Sequence, residues 1–187
     1  MSCNADQFFD VMKTRRAVRS YTGEPVADDD LWKIAQAGRW ASSGGNLHPH
    51  RFLIVRDPDR IRLVRSFAPG MLVMPTALIV IITDEDQIDL EFIRIDENYV
   101  NWVDVGTAAM NMQNMAHALG LGSCPVTSFS KSGVRAALKL PERFTPELLL
   151  MFGHPKPVER GLNPNAPAPL KTRDITCWEQ WGEHGPS

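Results

Sequence analysis

Cysteine is scarce in this chain of 187 residues: Cys3, Cys124 and Cys177 are all there is. The number is odd and the spacings are wide, so neither a disulfide framework nor a CxxC metal site is indicated. Long apolar runs are missing too. The longest, "TALIVIIT" (76–83), falls far short of the roughly 20 residues that cross a bilayer, so no membrane partner is expected. The N-terminus lacks the basic-then-apolar pattern of a secretory signal, and a reducing cytoplasm is the expected home. Neither sign of charge dominates: 20 Lys and Arg against 22 Asp and Glu give a formal net charge of -2. A general nucleic-acid binder would show a broad basic excess, so nucleic acid is not an expected partner. There is no GxGxxG dinucleotide fingerprint, no GxSxG elbow around Ser42, Ser43 or Ser123, and no internal repeat.

What is present is an ordinary soluble composition, 43% hydrophobic and 22% charged. It points to one domain over 1–187, with 155–187 as an appended arm. Periodicity predicts helices over 5–15, 27–41, 57–67, 98–119 and 130–140. Asp28 to Asp30 offer N-capping carboxylates for the second, whose apolar stripe is Leu31, Ile34, Ala35 and Gly38. In the fourth, Val105, Ala108, Met112, Met115 and Leu119 recur at helical spacing, and Gly120 supplies the stop. Met110, Met112 and Met115 read as core or interface packing. Strands are expected at 51–56, 76–83, 123–129 and 146–154. After Pro155 the prolines at 157, 164, 167 and 169 prevent a regular helix or central strand. That arm ends in Trp178 and Trp181, which are costly to leave in water. It either lies over a second subunit or packs on its own domain.

Against the balanced charge, "MKTRRAVRSYTGEPV" (12–26) concentrates Arg15, Arg16 and Arg19. An extended chain alternates its side chains, which puts Arg15, Ala17 and Arg19 on one side. Two guanidiniums flanking a small alanine make a cup for a phosphate, because the planar fork donates paired hydrogen bonds to phosphate oxygens. A solvated helix end is the plainer alternative. The loop "SSGGNLHPH" (42–50) adds two glycines that allow positive φ and close backbone approach, with Ser42, Ser43, Asn46 and His48 as polar groups. A self-satisfied turn would use the same residues. A zinc site from His48, His50 and His154 lacks a Cys or carboxylate at ligand spacing, so no metal is expected.

These segments resemble the FMN-dependent nitroreductase superfamily. "RRAVRSYTGEPV" is similar to its opening motif, and "SSGGNLHPHRFLIV" to its small-residue loop and following strand. "DVGTAAMNMQNMAHALGLGSCPV" resembles its central helix and exit, "LLLMFGHP" its Gly-aromatic-Pro strand end, and "PLKTRDI" its late basic pair. The five motifs occur in order over nearly the whole chain. The resemblance implies an α+β fold, a small mixed and mainly antiparallel sheet sandwiched by helices, in a homodimer with exchanged C-terminal arms. Gly106, Ala108 and Ala109 are small enough for close helix–helix approach there.

It further implies FMN as cofactor at the dimer interface. Arg15 and Arg19 would contact the phosphate and ribityl chain, with Arg16 and Ala17 alongside, and Arg173 and Lys171 would join them. Ser43, Gly44, Asn46 and His48 would approach from the partner, and Pro125, Val126 and Thr127 would lie against the ring. The implied activity is an NAD(P)H oxidoreductase, with NADH or NADPH as transient donor. It would reduce nitroaromatics, quinones or similar small electron acceptors by ping-pong hydride transfer through flavin N5. The flavin carries such chemistry, so no catalytic side chain is assigned; His48 is the one candidate for a polar contact to substrate or flavin, and a purely structural loop histidine is the plainer reading. Ala17 replaces the usual serine, His48 a common glutamine and His50 a frequent tryptophan. Asn-Leu-His-Pro also occurs in relatives that oxidise peptide azolines, and the segment from Phe67 to Asn98 is short for a flavin lid. A specialised flavin dehydrogenase or dehalogenase, and a non-catalytic FMN carrier or sensor, remain open alternatives.

Overall fold

The structure, a computed structural model, describes residues 4–87, 97–157 and 171–182. The chain divides into two units, 1–157 and 158–187. In the first, helices α1 (Ala5–Thr14), α2 (Asp28–Arg39), α3 (Pro58–Arg65), α4 (Glu97–Ala118) and α5 (Lys131–Leu138) surround strands β1 (His50–Val55), β2 (Ala77–Asp84), β3 (Gly122–Val126) and β4 (Phe144–Gly153). The sheet order is β1-β2-β4-β3, with every pairing antiparallel. Its parallel component is a single bridge, Ala17 with Ser123.

The sheet is covered on both faces, which explains why β2 reads as an unbroken apolar run and is buried throughout. Leu78, Val80 and Ile82 face one core with Ile61 and Val64 of α3 and Val134 of α5. Ala77, Ile79 and Ile81 face the other, with Ile34 of α2 and Met112 of α4. The α2 stripe buries as its spacing predicts: Leu31, Ile34, Ala35 and Gly38 are its buried residues. Its N-cap, however, is Ala27, without a side-chain cap bond. Asp28 to Asp30 lie in the first turn, where they favour the positive end of the helix dipole.

Helix α4 ends on Gly120 at φ +78. The Leu121 N–H donates to the Ala116 carbonyl (2.8 Å) and the Gly120 N–H to that of His117 (3.0 Å), the paired bonds of a glycine-terminated helix. Strand β4 starts at Phe144, earlier than the apolar run implies. Its register shifts between Ile81 and Ile82, so Pro146, which has no N–H to donate, sits at an irregularity. Ala108 and Ala109 are buried in the α2-side core and serve packing within the chain; Gly106 opens to free space.

Two helix faces keep apolar side chains in the open. α1 buries none of its residues, with Phe8, Phe9 and Met12 all exposed. On α4, Trp102, Val103 and Met110 are exposed beside Gly106. In the second unit the described residues include one 3-10 turn, Thr172–Ile175. Trp178 and Trp181 are exposed; Pro164, Pro167 and Pro169 of the expected arm lie outside the described residues.

Candidate functional site

The arginine segment leaves α1 and runs along the outer edge of β3. The Val18 N–H donates to the Ser123 carbonyl at 2.9 Å, and Gly122 makes room for Val18, since a Cβ there would sit 2.7 Å from the valine Cγ1. Tyr21 bridges to Pro155 and its O–H donates to the Val18 carbonyl at 2.8 Å. The three arginines then part company. Arg16 donates Nη1 to the carbonyls of Lys13 (2.7 Å) and Arg15 (2.8 Å), so it caps the end of α1. Arg19 reaches the buried Cys124 thiol; burial raises that thiol's pKa while Arg19 opposes the rise. Burial likewise pushes the Tyr21 hydroxyl up, with Cys124 adding and Arg19 opposing. Among the described residues neither Arg15 nor Arg19 pairs with a carboxylate. Ala17 is exposed between them. Further along the same edge, Pro125 and Thr127 are exposed while Val126 is buried in the core.

The loop after α2 is pinned to α4. The Gly44 N–H, at the start of a 3-10 turn over Gly44–Asn46, donates to both carboxylate oxygens of Asp104 at 3.0 and 3.1 Å. Thr107 donates its hydroxyl to the Ser42 carbonyl at 3.3 Å. Ser43 Oγ accepts the His48 N–H at 3.1 Å, and His48 Nε2 lies 2.9 Å from Asn46 Oδ1. Asn46 and His48 both hold positive φ, +57 and +48, a conformation that persists only where surroundings enforce it. Asp104 escaped the sequence analysis. Its signal was a lone carboxylate next to Val105 on the apolar face of α4, where burial raises its pKa and the Gly44 N–H and His48 hold it down.

Below the loop is a small cavity of about 60 Å³, lined among others by Arg39, Ser42, Ser43, His48, His50 and Asp104. Both ring nitrogens of His50 are buried there without a hydrogen-bond partner. Burial first, then Arg51 and His48, lowers its pKa to about 4. Outside it lies a larger open space of about 470 Å³, lined by Arg39, Trp40, Ala41, Ser42, Asn46 and His48. Among the described residues no three His, Cys, Asp or Glu side chains group as a metal site would require. His154 follows Gly153, which pairs with Gly122, away from His48 and His50.

The two halves lie at opposite corners of the sheet. His50 pairs with Thr83 on edge strand β1. Ser123 pairs with Phe152, and Phe152 with Ala77, on the way to edge strand β3. Crossing from β1 to β3 takes three strand spacings, about 14 Å, and moving from the row of Thr83 to that of Ala77 takes about 20 Å. Helix α4 repeats the measure. Its Asp104 holds Gly44, while its His117 Nε2 lies 2.8 Å from Thr14 Oγ1 beside the arginines, an axial rise of about 20 Å. One chain therefore brings Arg15, Ala17, Arg19 and Pro125 to Thr127 along one edge and gathers Ser43, Gly44, Asn46 and His48 at another. It does not bring the two sets together. Lys171 and Arg173 belong to the second unit, where the Lys171 N–H donates to Asp174 Oδ2 at 3.2 Å.

An antiparallel sheet between paired helix layers, with an arginine edge at one corner and a glycine turn at another, defines an α+β protein. The chain belongs to the nitroreductase family, whose sequence pattern matches residues 12–85 and 68–154. It is similar to an NADH dehydrogenase of Thermus thermophilus, 28% identical over 75% of this chain and 83% of the relative. It also resembles an FMN reductase [NAD(P)H] of Bacillus subtilis, 28% identical over 75% of this chain and 62% of the relative. A structure from Desulfovibrio desulfuricans solved in complex with FMN superposes with a TM-score of 0.71 at 28% identity, covering 86% of this chain and 94% of the other. Among the described residues no helix is long and apolar enough to cross a membrane.

Proposed function

We propose that this protein is an FMN-dependent NAD(P)H oxidoreductase acting on small electron acceptors, nitroaromatics or quinones among them. The observation that carries the reading is the diagonal separation of two incomplete half-sites. One chain does not bring the two sets of residues together, so a flavin mononucleotide that meets both would lie between the arginine edge of one protomer and the glycine-turn corner of a second. The uncovered faces of α1 and α4, with Phe9 58% and Trp102 61% exposed, supply apolar area for that pairing.

The chemistry of the residues suits the group. Arg15 and Arg19, which pair with no carboxylate among the described residues, would take the phosphate, with Ala17 leaving space between them. Arg16 contributes the local positive field while it caps α1. Lys171 and Arg173 are assigned to the phosphate by family resemblance. Ser43, Gly44, Asn46 and His48 of the partner would flank the ring, and the backbone of Pro125, Val126 and Thr127 would lie along it. Val126 takes part through its main chain, because its side chain belongs to the core. When bound, the flavin would supply two-electron redox chemistry between NADH or NADPH and the acceptor, in the ping-pong order that one shared site implies. Asp104 fixes the Gly44 turn, and the Asn46–His48 contact fixes the imidazole at the margin of the open space.

The purified protein should be yellow, should bleach on adding NADH or NADPH without oxygen, and should recover its colour with a quinone or nitroarene. A protein that binds FMN tightly but resists reduction by either nicotinamide would be a carrier or sensor instead. Sedimentation should give a dimer, and failure to bind FMN in a direct titration would end the proposal.

A further inference from the structure

The end of α2 carries a feature that the flavin reading does not use. Arg39, in the last turn of α2, lies over the indole of Trp40 at 5.0 Å from the ring centroid. Among the described residues it has no carboxylate partner. Trp40 is 77% exposed. Both residues line the 470 Å³ space, together with Asn46 and His48. The exposed indole leaves apolar area that a flat partner would bury, and the guanidinium over its ring is a favourable cation–π contact that holds the two side chains together. The volume falls within the range of about 300–1,000 Å³ typical of small-molecule sites.

We infer that Arg39 and Trp40 form a substrate subsite for a planar aromatic acceptor bearing a carboxylate. The indole supplies a stacking surface for the ring, and the Arg39 fork supplies paired hydrogen bonds to the carboxylate. Asn46 and His48 line the same space and are the residues proposed to meet the flavin, so the reducible end of the acceptor would lie toward them. Asp104, which lines the neighbouring small cavity with Arg39, accepts the Gly44 N–H and forms no ion pair with the guanidinium among the described residues. Arg39 is thereby a specificity-determining residue for anionic acceptors over neutral ones of the same shape. The inference rests on the flavin reading for the orientation of the acceptor, and on Arg39 and Trp40 alone for its charge and flatness.

The test compares 4-nitrobenzoate with 4-nitrobenzyl alcohol on the wild type, Arg39→Gln, Arg39→Lys and Trp40→Ala. Flavin content is measured by absorbance for each. In Arg39→Gln the ratio of kcat/KM for the carboxylate to that for the alcohol should fall roughly ten- to a hundredfold, the worth of a charged hydrogen bond. Arg39→Lys should recover part of it, and Trp40→Ala should weaken both compounds. Calorimetric titration of the two compounds reads the same preference without turnover. Equal binding of both by the wild type overturns the inference even in a fully flavin-loaded enzyme. A preference for the carboxylate that Arg39→Gln abolishes upholds the subsite even where the preparation holds no flavin, and the flavin reading then falls alone. An Arg39→Gln variant that changes only the NADPH-to-NADH ratio assigns the guanidinium to the donor's phosphate and also overturns it, as does loss of FMN from that variant.

Discussion

Replacing His50 with phenylalanine should make the protein less sensitive to acid. The imidazole is buried with both nitrogens unpartnered, and burial, Arg51 and His48 lower its pKa from 6.5 to about 4. A group whose folded pKa is depressed binds fewer protons in the native chain than in the unfolded one. Stability is therefore complete above the unfolded value, falls as pH drops through 6.5, and stops falling near the folded value of about 4. At pH 5 the shift corresponds to about 2 kcal/mol at full weight, and about 1 kcal/mol once partial solvent access to the residue is discounted. For a chain of this size that is a melting-temperature difference of about 2–4 °C. Phenylalanine keeps a flat ring of similar volume beside the cavity and cannot protonate. Thermal melts of wild type and His50→Phe at pH 7.5 and pH 5, with and without added FMN, give the comparison. The wild type should lose about 2–4 °C more than the variant on acidification. Equal losses would mean that the histidine is hydrated or paired in solution, and the account of its burial would be wrong.

Arg19→Ala should weaken FMN roughly ten- to a hundredfold in a fluorescence titration, the worth of a charged hydrogen bond, and full flavin content after purification would remove Arg19 from the site. Gly122→Ala would place a methyl 2.7 Å from Val18 Cγ1 and 2.8 Å from its Cβ. Since valine is stiff there, the arginine edge should lift from β3, with about 1–3 kcal/mol lost in urea unfolding and weaker flavin retention; unchanged values for both would mean the edge is pliable. Asp104→Ala leaves the Gly44 N–H without either acceptor and should lower stability by about 1.5–3 kcal/mol, with faster hydrogen exchange at Gly44 as the local readout. Truncation after Pro155 should abolish the dimer and flavin binding together, and a flavin-loaded monomer would refute the interface.

The elements that could be read from sequence alone were those governed by local rules. The β2 run, the α2 stripe and the Gly120 stop each depend on a repeat or on one residue's φ. The β4 start was misjudged because Phe144 and Thr145 are held by partners Asp84 and Thr83, some 60 positions earlier. The cap of α2 was misjudged because three aspartates in a row give no clue to which residue leaves helical geometry. At the site, the extended run that follows α1 was legible, and Val18 in it bonds to Ser123 of β3. Asp104 was not, since its role exists only through contact with Gly44 across the fold. Arg16 and Arg19 look alike in the sequence, and only the turn out of α1 separates the one that caps from the one that reaches Cys124. The corner-to-corner spacing was invisible, because strand order is not written in any single segment.

That spacing has a genetic corollary. If every pocket draws its cations from one chain and its turn from another, two differently crippled proteins can mend each other. Co-expressing Arg19→Ala with a chain damaged at Asn46 and His48 would produce mixed pairs. In each, one pocket carries both lesions and the other carries neither, so activity would reappear in a blend of two dead enzymes.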